Sequence, residues 1–270
     1  MKARNEIMLK PRPLRRGDTI GLVGISGAMH DPETKFDKML AAIDALGYKV
    51  IVADNCREEY GYLQGTDAAR AKGLNQMFRD DRVDAVVCMR GGYGVARMLD
   101  LVDFDAMRAN PKLVLGYSDI TALHTAIHQK VGMVTMHGPM PATAWMDFDD
   151  FTRDSMLRAL ESTEPLGRIS NPPGMEPRGV VPGRCEGLLV GGNLTLIASA
   201  CGTPYALDAR DKVLLLEDII RDIIVPAGKP VLANMSIGHT PTKITVPLGV
   251  RCAVDAGAGT LEFLESALED

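Results

Sequence analysis

No stretch of this 270-residue chain approaches the roughly 20 consecutive apolar residues that span a bilayer. Although 46% of its residues are hydrophobic, the chain therefore reads as a soluble globular protein with no membrane partner. Residues 1–17 carry charges throughout and lack the apolar core and small-residue cleavage site of a secretory signal, so a cytoplasmic location is expected. A net charge of −5 offers no basis for a nucleic-acid partner. Cysteine is sparse: Cys56, Cys88, Cys185, Cys201 and Cys252 are odd in number, widely spread and without a Cys-x-x-Cys pair. They read as buried thiols in a reducing compartment. His124 and His128 stand four apart on an expected helix, but no third ligand lies near them in sequence, so no metal is expected, and no other cofactor. There is no internal repeat, heptad pattern or low-complexity tract.

What is present is an alternation. Residues 19–23, 49–53, 85–89 and 113–115 are short apolar runs rich in Val, Ile and Leu, and read as buried strands. Between them, 36–46 and 67–78 carry apolar positions at helical spacing, and 95–101 is a further helix. Strands alternating with helices imply an α/β fold with an N-terminal parallel sheet covered on both faces, whose functional loops lie at the carboxyl ends of the strands. Past residue 140 the pattern changes. Residues 145–160 read as a connecting helix, and 165–182, rich in Pro and Gly, as a linker. Strand-like runs then recur at 212–216, 230–233, 243–246 and 260–264, which suggests a smaller, mainly β C-terminal domain. The expected division is 1–145, 146–182 and 183–270.

Gly116-Tyr117-Ser118-Asp119 sits between the apolar run 113–115 and a helical segment at 120–129, a layout that holds a serine hydroxyl on a sharp strand-to-helix turn. Ser118 is a candidate nucleophile, although Ser and Asp are also ordinary helix N-caps. A serine needs a base, a group to orient that base, and donors for the oxyanion. Arg90-Gly91-Gly92-Tyr93-Gly94 ends one strand and opens a helix, and so could supply backbone N–H groups, a phosphate cradle or merely a tight turn. It matches neither Gly-x-Gly-x-x-Gly nor a loop ending in Gly-Lys-Ser/Thr. Glu217 and Asp218 end the apolar run 212–216, and His239 follows Gly238 on a loop. Each has a bland reading as a turn, cap or packed residue. Their order, nucleophile then carboxylate then histidine, would form a triad if the second domain folded over the strand edge that carries Ser118.

At this point the chain resembles a known family. Gly61-Tyr62-Leu63, Gly65-Thr66-Asp67 with Arg70, Arg90-Gly91-Gly92-Tyr93-Gly94, Gly116-Tyr117-Ser118-Asp119, His137-Gly138-Pro139, Gly191-Gly192-Asn193-Leu194, Gly202-Thr203-Pro204, Leu216-Glu217-Asp218 and Gly238-His239 follow in the order seen in the LD-carboxypeptidases. These are serine peptidases that trim murein tetrapeptides, and the microcin C self-immunity proteins are their relatives. The resemblance implies a Ser118–His239–Glu217 triad and an oxyanion held by backbone N–H groups of Asp119 and of Gly91 or Gly92. It implies a murein tetrapeptide substrate, cut between the L-centre of a diamino acid and a terminal D-alanine during cell-wall recycling. Arg90, Tyr93, His137 and Asn193 are the substrate-binding candidates. For Arg90 the argument is location alone, and a structural salt bridge is equally open.

Two departures accompany the resemblance. The first loop reads Gly24-Ile25-Ser26-Gly27 where relatives commonly carry an Ala-Pro-Ser type of segment. Some tens of residues usual after the Glu-Asp pair are missing, which removes part of the expected substrate wall and bears on dimer formation, so a homodimer is left open. A microcin-type self-immunity peptidase and a catalytically silent peptide-binding relative remain alternatives. The former would want an aromatic platform, for which Trp145, Phe148 and Phe151 are the aromatics before the linker.

Overall fold

Each apolar run of the first half finds a parallel partner on both sides or at an edge, as strands without polar alternation require. The computed structural model describes residues 7–29, 31–217 and 228–270, so Asp218 and the shortened stretch that follows it lie outside the described residues. The strands are β1 (Thr19–Val23), β2 (Lys49–Val52), β3 (Ala85–Cys88), β4 (Leu113–Gly116), β5 (Thr135–His137), β6 (Gly167–Ile169), β7 (Arg178–Val181), β8 (Arg184–Gly192), β9 (Val213–Leu216), β10 (Val231–Ala233), β11 (Val246–Leu248), β12 (Arg251–Asp255) and β13 (Thr260–Phe263). The helices are α1 (Pro32–Ala45), α2 (Asp67–Arg79), α3 (Val95–Met98), α4 (Phe104–Ala109), α5 (Thr121–Lys130), α6 (Asp150–Glu161) and α7 (Leu194–Ser199).

A six-stranded sheet runs in the order β11-β5-β4-β3-β1-β2, parallel except for β11 at its edge. β3 and β4 are buried at every position, which places them in the centre of the layer. A five-stranded sheet, β6-β13-β12-β8-β9, and the pair β10-β7 make the mainly β part. The strand β12 shows the half-buried alternation of such a sheet, with Cys252 and Val254 inward. One hydrophobic core runs through both parts, from Leu22 and Val114 to Val246 and Phe263. Of the five thiols expected to be buried, Cys56, Cys88 and Cys252 lie within it, Cys185 is half-buried and Cys201 is exposed; burial pushes Cys56 and Cys252 up to about 12.

Three expectations of secondary structure shift. The stretch read as one helix from 145 is a 3-10 turn, Trp145–Asp147, followed by α6, because Asp149 caps the latter by accepting the Thr152 N–H at 2.9 Å. The stretch read as a linker contains β6 and β7, short strands that take their order from pairing with β13 and β10. Finally, the run read at 243–246 becomes a strand only from Val246. The N–H groups of Lys243 and Thr245 go to side-chain oxygens of Thr152 and Ser155 on α6, leaving Val246–Leu248 to pair with β5. The strand β11 contains Pro247 and is confined to a sheet edge accordingly. It extends the first sheet with a strand from late in the chain, so the parts on either side of the connecting segment share a sheet as well as a core.

Candidate active site

Gly116 ends β4, Tyr117 is extended, and Ser118 then turns into the left-handed region with φ 63° before a 3-10 turn, Ser118–Ile120, leads into α5. Among the described residues the other non-glycine positions with positive φ are Asp31, Asp211 and Asn234, residue types that tolerate it. For a serine the conformation costs roughly 1–2 kcal/mol. It lifts the hydroxyl out of the strand end, as in the strained strand-to-helix elbow that carries the nucleophile in α/β-hydrolase folds. The glycine loop lies against it: a Cβ on Gly91 would sit 3.0 Å from Cβ of Ser118, so only glycine lets this backbone approach.

From the other part of the chain, His239 Nε2 reaches to 3.1 Å from Ser118 Oγ, and His239 Nδ1 lies 2.6 Å from Glu217 Oε2. Glu217 directly follows β9, where its N–H donates to Gly192 O at 3.1 Å. The carboxylate is 2% exposed, the His239 ring 55% exposed and Ser118 half-buried, so the histidine is the group that solvent reaches most freely. Burial pushes the Glu217 carboxyl up, but His137 and His239 together outweigh it and hold the group below the usual carboxylate range. Gly238, with φ 85°, permits the contact, since a Cβ there would fall 2.8 Å from Glu217 Cγ. The Tyr117 ring packs 5.1 Å from the His239 ring and covers its inner side. Two anchors hold the halves in register. One is the β11–β5 pairing, with Val246 opposite His137. In the other, the Asn193 N–H donates at 3.0 Å to Oγ1 of Thr121, at the start of α5.

The remaining sequence candidates take varied places. Asp119 is 1% exposed, and its carboxylate accepts from Ser26 Oγ at 2.5 Å and from the Val95 N–H at 3.1 Å, tying the Ser118 turn to the first loop and to the start of α3. Burial pushes its carboxyl up, and these donors pull against that. Gly92 lies against the backbone of Gly27. Arg90 donates through Nη1 to Ala28 O at 2.7 Å and through Nε to Gly91 O at 3.2 Å, so much of its guanidinium braces the loops rather than a salt bridge. Tyr93 is exposed, its ring 5.8 Å from that of Tyr62, a residue not singled out as a site candidate. Asn193 caps α7 through its side-chain oxygen, which accepts the Leu196 N–H. His137 is completely buried and its ring faces Glu217, a position closed to direct contact with substrate. Trp145 is buried too, donating to Pro139 O, while Phe148 and Phe151 pack against the core, so none of the three is a free platform. Among the described residues no three His, Cys, Asp or Glu side chains gather as metal ligands, and no helix is long and apolar enough to cross a membrane.

The chain as a whole is similar to known proteins. The LD-carboxypeptidase N-terminal domain matches over residues 20–138 and the LD-carboxypeptidase C-terminal domain over residues 186–223. A probable murein peptide carboxypeptidase of Bacillus subtilis is 35% identical over 310 aligned positions, covering 96% of each chain. The murein tetrapeptide carboxypeptidase of Pseudomonas aeruginosa is 31% identical over 67% of this chain and 60% of its own. An MccF-like protein from Bacillus anthracis has a solved structure that superposes with a TM-score of 0.82 at 25% identity, over 96% of this chain and all of that one.

Proposed function

Because the chain belongs to the LD-carboxypeptidase family, we propose that it is a serine carboxypeptidase that releases terminal D-alanine from murein tetrapeptide in the cytoplasm, during cell-wall recycling. The observation that carries this reading is the continuous line from Ser118 Oγ through His239 to Glu217. In it His239 Nε2 takes the hydroxyl proton as Oγ attacks the carbonyl carbon between the L-centre and D-alanine. The carbonyl oxygen becomes an oxyanion, received by backbone N–H groups of Asp119 and of Gly91 or Gly92. Collapse of that intermediate breaks the C–N bond, and His239 returns the proton to the departing amine. Water then enters by the same base, and its attack frees the shortened peptide from Ser118. Glu217 keeps the His239 proton on Nδ1 and stabilises the imidazolium while it exists.

The loops braced by Arg90 and bordered by Tyr93 and Asn193 form the wall against which the D-alanine carboxylate and methyl group are sorted. Stereochemical selection needs fixed contacts to both. The exposed Tyr62–Tyr93 pair is the observation that favours the second reading, a self-immunity peptidase acting on a peptidyl nucleotide, because a base could stack there. One experiment tests both: purified protein is incubated with murein tetrapeptide ending in D- or L-alanine and with a peptidyl-adenylate analogue, and free alanine and nucleotide are measured. Release of D-alanine with rejection of the L-epimer is expected. Nucleotide release without D-alanine release would transfer the site to the second reading, and no turnover of either would leave a silent binding protein.

A further inference from the structure

Glu217 meets a second imidazole. His137 ends β5, is 0% exposed, and brings Nε2 to 2.9 Å from Glu217 Oε1, the carboxylate oxygen that His239 does not use. The approach is off the line of a regular hydrogen bond, and neither atom has another partner, so the contact is chiefly electrostatic. Two acceptors at this distance would repel, so the attractive arrangement puts the His137 proton on Nε2. The ring is fixed by Tyr117, edge-on at 6.2 Å, and by His124, also at 6.2 Å. His124 is itself occupied, with Nε2 2.9 Å from Gly116 O. On the far side, Val246 of β11 stands opposite His137 in the sheet register.

A histidine that merely filled this space would be a poor filler. Its Nδ1 has no partner, and a buried polar atom without one carries a desolvation cost that an apolar side chain of similar size would avoid. What the imidazole adds is a polarised N–H close beside one carboxylate oxygen, attracting it although off its line. We propose that His137 is a positioning residue: it holds Oε1 of Glu217 so that Oε2 stays aimed at Nδ1 of His239, and it shares the carboxylate charge that draws on the His239 proton. The inference rests on the Ser118–His239–Glu217 reading. The ionisable groups facing His137 are Glu217, His124 and Tyr117, with His239 beyond the carboxylate.

The test compares His137→Met, of similar size and apolar, with His137→Gln, whose amide can place an N–H near the Nε2 position. Labelling of Ser118 by a fluorophosphonate is followed against pH, a readout independent of the natural substrate, alongside kcat and KM for D-alanine release. With Met, labelling and kcat should fall roughly 10-fold or more, in the range seen when an outer partner of a functional histidine is lost. The acid limb should move to higher pH, because a carboxylate with one partner fewer holds the imidazolium more tightly, and KM should change little. Gln should restore most of both. A wild-type protein that Ser118-directed reagent does not label would overturn the triad reading and this one with it. A labelled wild type whose Met variant keeps its rate and pH limb, or equal losses in Met and Gln, would overturn this one alone. If Met does not fold, His137→Asn takes its place, since its shorter amide falls short of Glu217 and it should behave as Met does; wild-type behaviour of the Asn variant would count equally against the proposal.

Discussion

Nε2 of His239 stands 3.1 Å from Oγ of Ser118 although 121 positions separate them in the chain. Neither residue's own element sets that distance. It comes from β11 entering the first sheet beside β5 and from Thr121 accepting the Asn193 N–H, two anchors that flank the site. Ser118 sits just past the carboxyl end of β4, a central strand of that sheet, and the loop carrying His239 is delivered to it.

Ser118→Ala and His239→Ala should each abolish most D-alanine release with the fold intact, because each removes a group that moves or forms a bond. Glu217→Gln should cost less than Ser118→Ala, since its amide can still meet His239 but carries no charge to balance the imidazolium. Steady-state kinetics with circular dichroism on the same samples decide it. Parent-like activity in Ser118→Ala would remove the covalent mechanism.

Gly238→Ala is a sharper probe, because it leaves all three side chains in place. A Cβ at 2.8 Å from Glu217 Cγ, on a backbone with φ 85°, must displace the carboxylate or the loop. We expect kcat to drop at least 10-fold and stability to fall by about 1–2 kcal/mol. A fully active Gly238→Ala protein would mean that the Glu217 contact is not needed at its present spacing.

Much of this is legible in the sequence. The Leu113–Leu115 run closing on Gly-Tyr-Ser-Asp announces both a buried strand and the turn that follows it, and Glu217 is marked by the apolar strand that it ends. The pairing of β11 with β5 was not legible, because a three-residue strand containing Pro247 carries no mark of which sheet edge it will join. For the same reason the burial of His137 against Glu217 could not be read: it is a product of that packing, and a histidine before Gly-Pro looks like a loop residue. The strands β6 and β7 were hidden by the Pro and Gly around them, since short edge strands depend on their partners more than on their own composition.

His124 gives the protein an acid-sensitive core. Burial is the chief cause, with nearby His137 adding to it, that pushes this imidazole down to about 3. An unfolded histidine titrates near 6.5, so between about 6.5 and 3 the unfolded chain binds a proton that the folded one refuses. Stability should therefore decline as pH falls through that window, by up to about 1.4 kcal/mol per pH unit from this residue. Urea unfolding from pH 7 to pH 4 measures it. His124→Gln, which keeps a donor for Gly116 O, should be less stable at pH 7 but show a flatter decline; parallel curves for the two proteins would assign the acid sensitivity elsewhere.

The strain at Ser118 makes a prediction about stability that runs against ordinary residue preferences. Glycine normally destabilises relative to alanine, by roughly 0.5–1 kcal/mol within regular elements, because it has more freedom to lose on folding. At φ 63° the order should reverse, since alanine keeps the Cβ clash that glycine lacks and both have lost the hydroxyl. We expect Ser118→Gly to exceed Ser118→Ala by about 1 kcal/mol in unfolding free energy, with both inactive. The comparison cancels the lost hydrogen bond to His239 and isolates the backbone. If Ser118→Ala proves as stable as Ser118→Gly, the turn carries no stored strain, and exposure of the hydroxyl must come from the surrounding loops alone.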